Sequence, residues 1–170
     1  QAMLAHSKNR LREATGIAPK GYLAPLISES IHTPDLLDEE GYEYLLDWAH
    51  DEQPVWFETQ TTKGSGRILS IPYPQELNDV PQIMGRRREA AEFADMIEAA
   101  YALHQRECVA RPVVMGIALH PYLMGQAHRF GQLARVLRNI KAKAGDETWF
   151  TTTGAINEHF RSLKTTAEKS

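Results

Sequence analysis

The spacing of apolar residues changes many times along this chain, and the changes divide it into short alternating elements. Residues 2–14 set Met3, Leu4 and Leu11 near one face at helical spacing, and Gly16 stops the run. Residues 21–25 read as a short apolar strand closed by Pro25. Thr33 as N-cap and Pro34 in the first turn open a helix over residues 35–40, which Gly41 ends. Residues 42–48 predict a second strand, residues 55–58 an extended piece, residues 63–66 a turn and residues 68–72 a third strand. After a polar loop over residues 74–81 comes the longest predicted helix, 86–106, with Ala90, Phe93, Ala94, Ile97, Tyr101 and His104 at helical spacing. Residues 113–119 form an unbroken apolar run, as in strands buried on both faces of a parallel sheet. A helix over 130–144 turns Leu133, Val136, Leu137 and Ile140 inward; a strand over 148–152 and a helix over 154–163 follow. Alternation of this kind predicts an α/β fold built from βα units, its strands mainly parallel, in an open sheet or a barrel. Residues 1–163 read as one domain portion and residues 164–170 as a frayed tail.

Composition narrows the function classes. The chain has 170 residues, 24% of them charged, and a formal net charge of −3. That balance disfavours nucleic acid and an anionic membrane as partners, and no stretch approaches about 18 consecutive apolar residues. A single cysteine, Cys108, allows no internal disulfide and no CxxC zinc site, which fits a cytoplasmic compartment. The chain starts without methionine, on polar residues that predict helix and not a signal peptide.

Ligands of βα folds bind in the loops that leave the C-terminal ends of strands. Here those loops carry Ser28–Glu29–Ser30, Trp48 with His50–Asp51–Glu52–Gln53, Gln75–Glu76–Leu77–Asn78–Asp79 and His120–Pro121–Tyr122. They are expected to converge on one mouth. His120 is the leading catalytic candidate, because an imidazole at the end of the most apolar strand can protonate a leaving amine near neutral pH. Glu76, Asn78 and Asp79 are candidates for substrate binding, followed by Asp51, Glu52 and Trp48; solvated turns, helix caps and core packing are the plainer roles for each. No metal ligands are assigned, since the histidines show no close spacing such as HExxH.

The same loops carry a resemblance. In order, GYLAP, SES, TPDLL, EEGYEYLLDW, DEQPVW, IPYPQELND, GIALHPYLMGQAHR and TWFTT resemble the C-terminal half of the polysaccharide deacetylase superfamily, closest to its allantoinase-like branch. The resemblance implies the C-terminal part of a distorted (β/α) barrel that hydrolyses a C–N bond of an amide or ureide. It implies that His120, in the Leu–His–Pro motif, is the general acid. It assigns a divalent metal, zinc, to a first half that no part of this chain matches. That N-terminal half, or another chain completing the barrel, is the expected partner, beside a glycan or small-molecule substrate and a homo-oligomeric state. The segment alone is therefore expected to be inactive. Leu23 departs from the pattern, for many members carry there an arginine that orients a catalytic carboxylate. That weakens the sugar-deacetylase reading against an allantoinase-type ureide hydrolase, and leaves a non-catalytic glycan-binding or structural barrel as the third reading.

Overall fold

The computed structural model describes residues 2–167. They divide into two compact units: one holds the residues up to Pro72 and those from Thr151 on, the other Tyr73–Phe150. Among the described residues no helix is long and apolar enough to cross a membrane.

The first unit contains α1 (Ala2–Thr15), β1 (Gly21–Tyr22), α2 (Thr33–Glu39), β2 (Tyr44–Leu45), β3 (Val55–Thr61) and β4 (Gly64–Ser70). The sheet order is β1-β2-β4-β3. β1 pairs parallel with β2 and β2 parallel with β4, in the register Gly21↔Tyr44 and Tyr44↔Leu69. Leu37, Tyr42, Leu45 and Ile68 form the core of this unit, with Leu4, Tyr22 and Phe57 packed against them. α2 ends as its glycine requires. Gly41 sits at φ +70°, its N–H reaches Asp38 O, and Tyr42 N–H reaches Leu37 O, both at 2.9 Å. This is a Schellman closure, with the Tyr42 and Leu37 side chains meeting in the core. At its other end the helix begins at the predicted N-cap itself, so the cap position falls on His32, one residue earlier. Thr33 is already helical, and its Oγ1 accepts Ser30 N–H at 3.0 Å.

One expectation in this unit is corrected. Residues 64–66 are not a turn but the start of β4, paired antiparallel with β3 through Thr61↔Gly64. The turn itself is Thr62–Lys63, and Gly64 supplies the φ of +117° that follows it. The apolar residues of α1 bury little surface, with Leu4 packed against the core. Met3 and Leu11 are exposed, and α1 buries no residue. It is anchored by Lys8, whose Nζ donates to Glu40 O at 2.6 Å and Gly41 O at 2.8 Å, at the carbonyl end of α2.

α5 (Thr153–Ala167) belongs to the first unit. Its Asn157 is fully buried, donates to Glu43 Oε2 at 2.7 Å and accepts from Arg161 Nε at 2.8 Å. The helix runs through residues 164–167, assigned to the tail by sequence; residues 168–170 of that tail lie outside the described residues.

The second unit packs α3 (Ala90–Glu107) against α4 (Ala127–Lys143). Phe93, Ala94, Ile97, Met124 and Val136 lie at its centre. α3 starts at residue 90 and not 86, because residues 80–85 wind into a π-helical turn and Arg87 has φ 53°. Glu89 and Glu92 then close a reciprocal capping box. On α4, Leu133, Val136 and Ile140 face inward as expected, whereas Leu137 is 43% exposed, one helical step off that stripe. Phe93→Ala removes a fully buried ring, and is expected to lower unfolding free energy by about 3–5 kcal/mol in urea titration.

The apolar run 113–119 is corrected as well. Within it only Ala118 is buried, and among the described residues its backbone bridges a neighbour only there, parallel to Asn78. Met115 and Ile117 lie half-buried against the core. An apolar run reports burial, not ladder pairing, and here one side of the segment packs while the ladder is a single bridge. The strand expected over 148–152 likewise forms no ladder among the described residues. Its threonines serve as anchors instead: Thr148 Oγ1 meets Tyr101 Oη at 2.9 Å, and Thr152 Oγ1 accepts Ala155 N–H at the start of α5.

Candidate active site

In the second unit one bridge brings two sequence-distant turns together. Asp79 N–H donates to Ala118 O at 3.1 Å, and Ala118 N–H to Leu77 O at 2.9 Å. This parallel pairing sets the residue after Asn78 beside the turn that follows Leu119. Asp79 is fully buried. Its Oδ1 lies 2.6 Å from His120 Nδ1, and its Oδ2 accepts the backbone N–H groups of His120 at 2.8 Å and Met124 at 3.4 Å. A carboxylate has only acceptors, so Nδ1 carries the proton. That fixes the ring orientation and directs Nε2 away from Asp79. No hydrogen bond to Nε2 is found among the described residues, and the His120 side chain is 35% exposed. Tyr122 stands edge-on to the imidazole, ring centroids 5.4 Å apart.

Beside the imidazole lies a recess of about 240 Å³, lined by Leu119, His120, Pro121, Gly125, Phe130 and Leu133. Gly125 allows the turn to close there. A Cβ on it would stand 2.4 Å from Pro121 O and 2.9 Å from Pro121 Cα, and both are backbone atoms that cannot swing aside. Gly125→Ala is expected to cost about 1–3 kcal/mol of stability, which thermal melting against the wild-type protein checks.

The other residues singled out by sequence are placed as follows. Glu76 is exposed, and its backbone carbonyl accepts Gln82 Nε2 at 2.9 Å. Asn78 is buried, and its Oδ1 accepts Val80 N–H at 3.1 Å, which makes it a cap for the π-helical turn. All the hydrogen bonds of the buried Asp79 carboxylate go to the His120 turn, and they orient the imidazole. In the first unit, Asp51 and Glu52 are exposed, with Asp51 Oδ1 accepting Glu52 N–H at 2.6 Å. Trp48 stacks edge-on to Phe57 and donates Nε1–H to Glu29 Oε2 at 3.0 Å. His50 Nε2 lies 2.8 Å from Ser70 Oγ, and burial lowers its pKa while Asp51 opposes that.

Sequence reasoning did not single out Asp47, which is buried and accepts Ala24 N–H at 2.7 Å on Oδ1. Burial first, then the neighbouring Asp47, pushes the Glu29 carboxyl up to about 7. The available signal was an aspartate immediately before Trp48 at the end of an apolar strand. Among the described residues no three His, Cys, Asp or Glu side chains come together to hold a metal. The zinc implied by resemblance therefore has no fitting ligand set in these residues.

The arrangement is that of part of a (β/α) barrel with a mostly parallel sheet. Its structural neighbours are polysaccharide deacetylase family members and allantoinase-like proteins. No protein-family model matches the chain, and no curated protein does. Among solved structures, Puue allantoinase is similar with a TM-score of 0.80 and 25% identity, over 94% of this chain and 51% of that one. A probable polysaccharide deacetylase from Pseudomonas aeruginosa PAO1 is similar with a TM-score of 0.78 and 25% identity, over 92% of this chain and 51% of the other. The chain thus spans about half the length of these solved proteins, consistent with a C-terminal half.

Proposed function

We propose that the full-length protein is a C–N bond hydrolase of deacetylase type, with His120 as the general acid for the leaving nitrogen. The observation that supports this best is the Asp79–His120 pair. Asp79 holds Nδ1 protonated and leaves Nε2 to carry and deliver a proton. Water attacks the carbonyl carbon, the tetrahedral intermediate forms, and the C–N bond breaks as Nε2 gives its proton to the departing amine. Asp79 moves no proton of its own and keeps the ring oriented through the step.

The groups that activate water lie outside the Asp79–His120 pair. They belong to the same proposal, together with a zinc ion held by residues other than those described, an N-terminal half or second chain that completes the barrel, and a homo-oligomeric state. Residues 1–170 by themselves are expected to be inactive, because a positioned acid without a water activator does not turn over. Amide or ureide hydrolysis by that segment, well above a His120→Ala control, contradicts this.

A second reading, allantoinase-type ureide hydrolysis, is favoured by the similarity to Puue allantoinase and by Leu23, which stands where many sugar deacetylases have arginine. Product analysis separates the two. The full-length protein is given N-acetylated chitin oligomers and allantoin in parallel: acetate release supports deacetylation, ring-opened ureide supports the second reading, and neither product contradicts both.

A further inference from the structure

We propose that Glu29 and Asp47 share one proton, and that this proton latches residues 25–31 onto the sheet of the first unit. The inference is independent of the reaction catalysed. Asp47 is 8% exposed; Oδ1 takes Ala24 N–H, while Oδ2 is buried with no hydrogen-bond donor among the described residues. Glu29 shows the same asymmetry: Oε2 takes Trp48 Nε1–H, and Oε1 is buried without a donor. Asp47 stands close enough to Glu29 to raise its pKa, and each carboxyl keeps one buried oxygen that a proton on the other could bridge. Two carboxylates offer only acceptors, so a bond between them needs a proton on one.

The surroundings supply no charge that could take the place of that proton. Tyr22 of β1 faces the pair as a neutral phenol, its pKa raised by burial first and then by Asp47 and Glu29. Trp48, beyond β2, gives its indole N–H, and Phe57 of β3 packs against that indole. Among the described residues no lysine, arginine or histidine forms an ion pair with Glu29 or Asp47. Burial first, then Asp47, raises the Glu29 carboxyl, so the proton is assigned to Glu29.

The latched segment gains little from packing. Leu26 is 95% exposed and Ile31 88% exposed. Leu26 and Ile27 sit at φ 57° and 54°, a left-handed region that a branched residue such as isoleucine strongly disfavours. A strained, solvent-facing segment stays closed only if something else holds it. The ties to the sheet are the Ala24–Asp47 hydrogen bond, the proposed Glu29–Asp47 proton and the Trp48–Glu29 hydrogen bond. Removing the shared proton sets two negative charges side by side at the second of these.

The direction of the pH dependence follows. Glu29 has a raised pKa when the segment is closed and an ordinary one, near 4.3, when it is open. Over that interval the closed state binds more protons, so rising pH favours opening until the closed-state pKa is passed, and the effect then levels off.

Hydrogen exchange of the full-length protein between pH 5 and 8, corrected for intrinsic rates, tests the latch. The opening constant of residues 25–31 is expected to rise about tenfold or more from pH 5 to 7 and to plateau above. In Glu29→Gln the amide donates to Asp47 at every pH, and the profile should be flat and protected. Asp47→Asn, donating the other way, should also be flat. A flat wild-type profile, or the wild-type rise persisting in Glu29→Gln, overturns the proposal. Carbon NMR of labelled glutamate carboxyls reads the wild-type protein without any variant: a Glu29 titration near neutrality supports the latch, and an ordinary glutamate midpoint overturns it.

Discussion

His120→Ala in the full-length protein is expected to lower kcat by about 10²–10⁴ while leaving the fold intact, the range over which a positioned acid acts. The side chain is partly exposed beside an open recess and contributes no atom to the second unit's core. Its removal therefore takes away a proton donor and little packing. Circular dichroism and melting temperature should match wild type, with KM changed much less than kcat. A folded variant with wild-type turnover would make His120 a structural residue.

Asp79 carries the second large effect, and it is of a different kind. Its carboxylate accepts three N–H groups of the His120 turn in a fully buried position. Asp79→Ala leaves those donors unpaired and is expected to cost about 3 kcal/mol or more of stability. Asp79→Asn keeps the volume but turns an amide toward groups that donate. It should lower kcat roughly 10²-fold through a mis-set imidazole, with a smaller stability loss. Denaturant titration and steady-state kinetics on the two variants separate the contributions. Equal stability with unchanged kcat in Asp79→Asn would detach this carboxylate from the imidazole's function.

Much of this architecture was legible because helical periodicity and punctuation are local. Gly41 ends α2, the Leu133–Val136–Ile140 stripe orients α4, and the apolar segment before Pro25 is β1. What failed depends on partners distant in sequence. Residues 113–119 look like a fully paired strand, yet pairing requires neighbours that hydrophobicity does not encode, and only Ala118 has one among the described residues. Residues 64–66 look like a turn because of two glycines, yet the hairpin register places them within β4. The π-helical turn over 80–85 has no periodic signal of its own.

The candidate site divides the same way. His120 and Asp79 were both legible as polar residues in loops, but their relation was not, for they stand 41 residues apart and meet through a single backbone bridge. The sequence accordingly grouped Asp79 with candidate substrate-binding residues, and the structure buries its carboxylate against the imidazole. Asn78 is likewise occupied in capping its own turn. Glu29 and Asp47 illustrate the limit further: each is an ordinary acid in a polar loop, and only their shared burial makes them a pair.

The central claim is that the Asp79-held imidazole of His120 protonates a leaving nitrogen. Its most direct test is the dependence of the His120→Ala defect on the leaving group, measured in the full-length protein. An amide with a basic alkylamine leaving group needs the proton, whereas an activated anilide departs with little help. The account predicts a defect of about 10²–10⁴ on the first and at least tenfold less on the second. An equal defect on both substrates would contradict general-acid catalysis by His120.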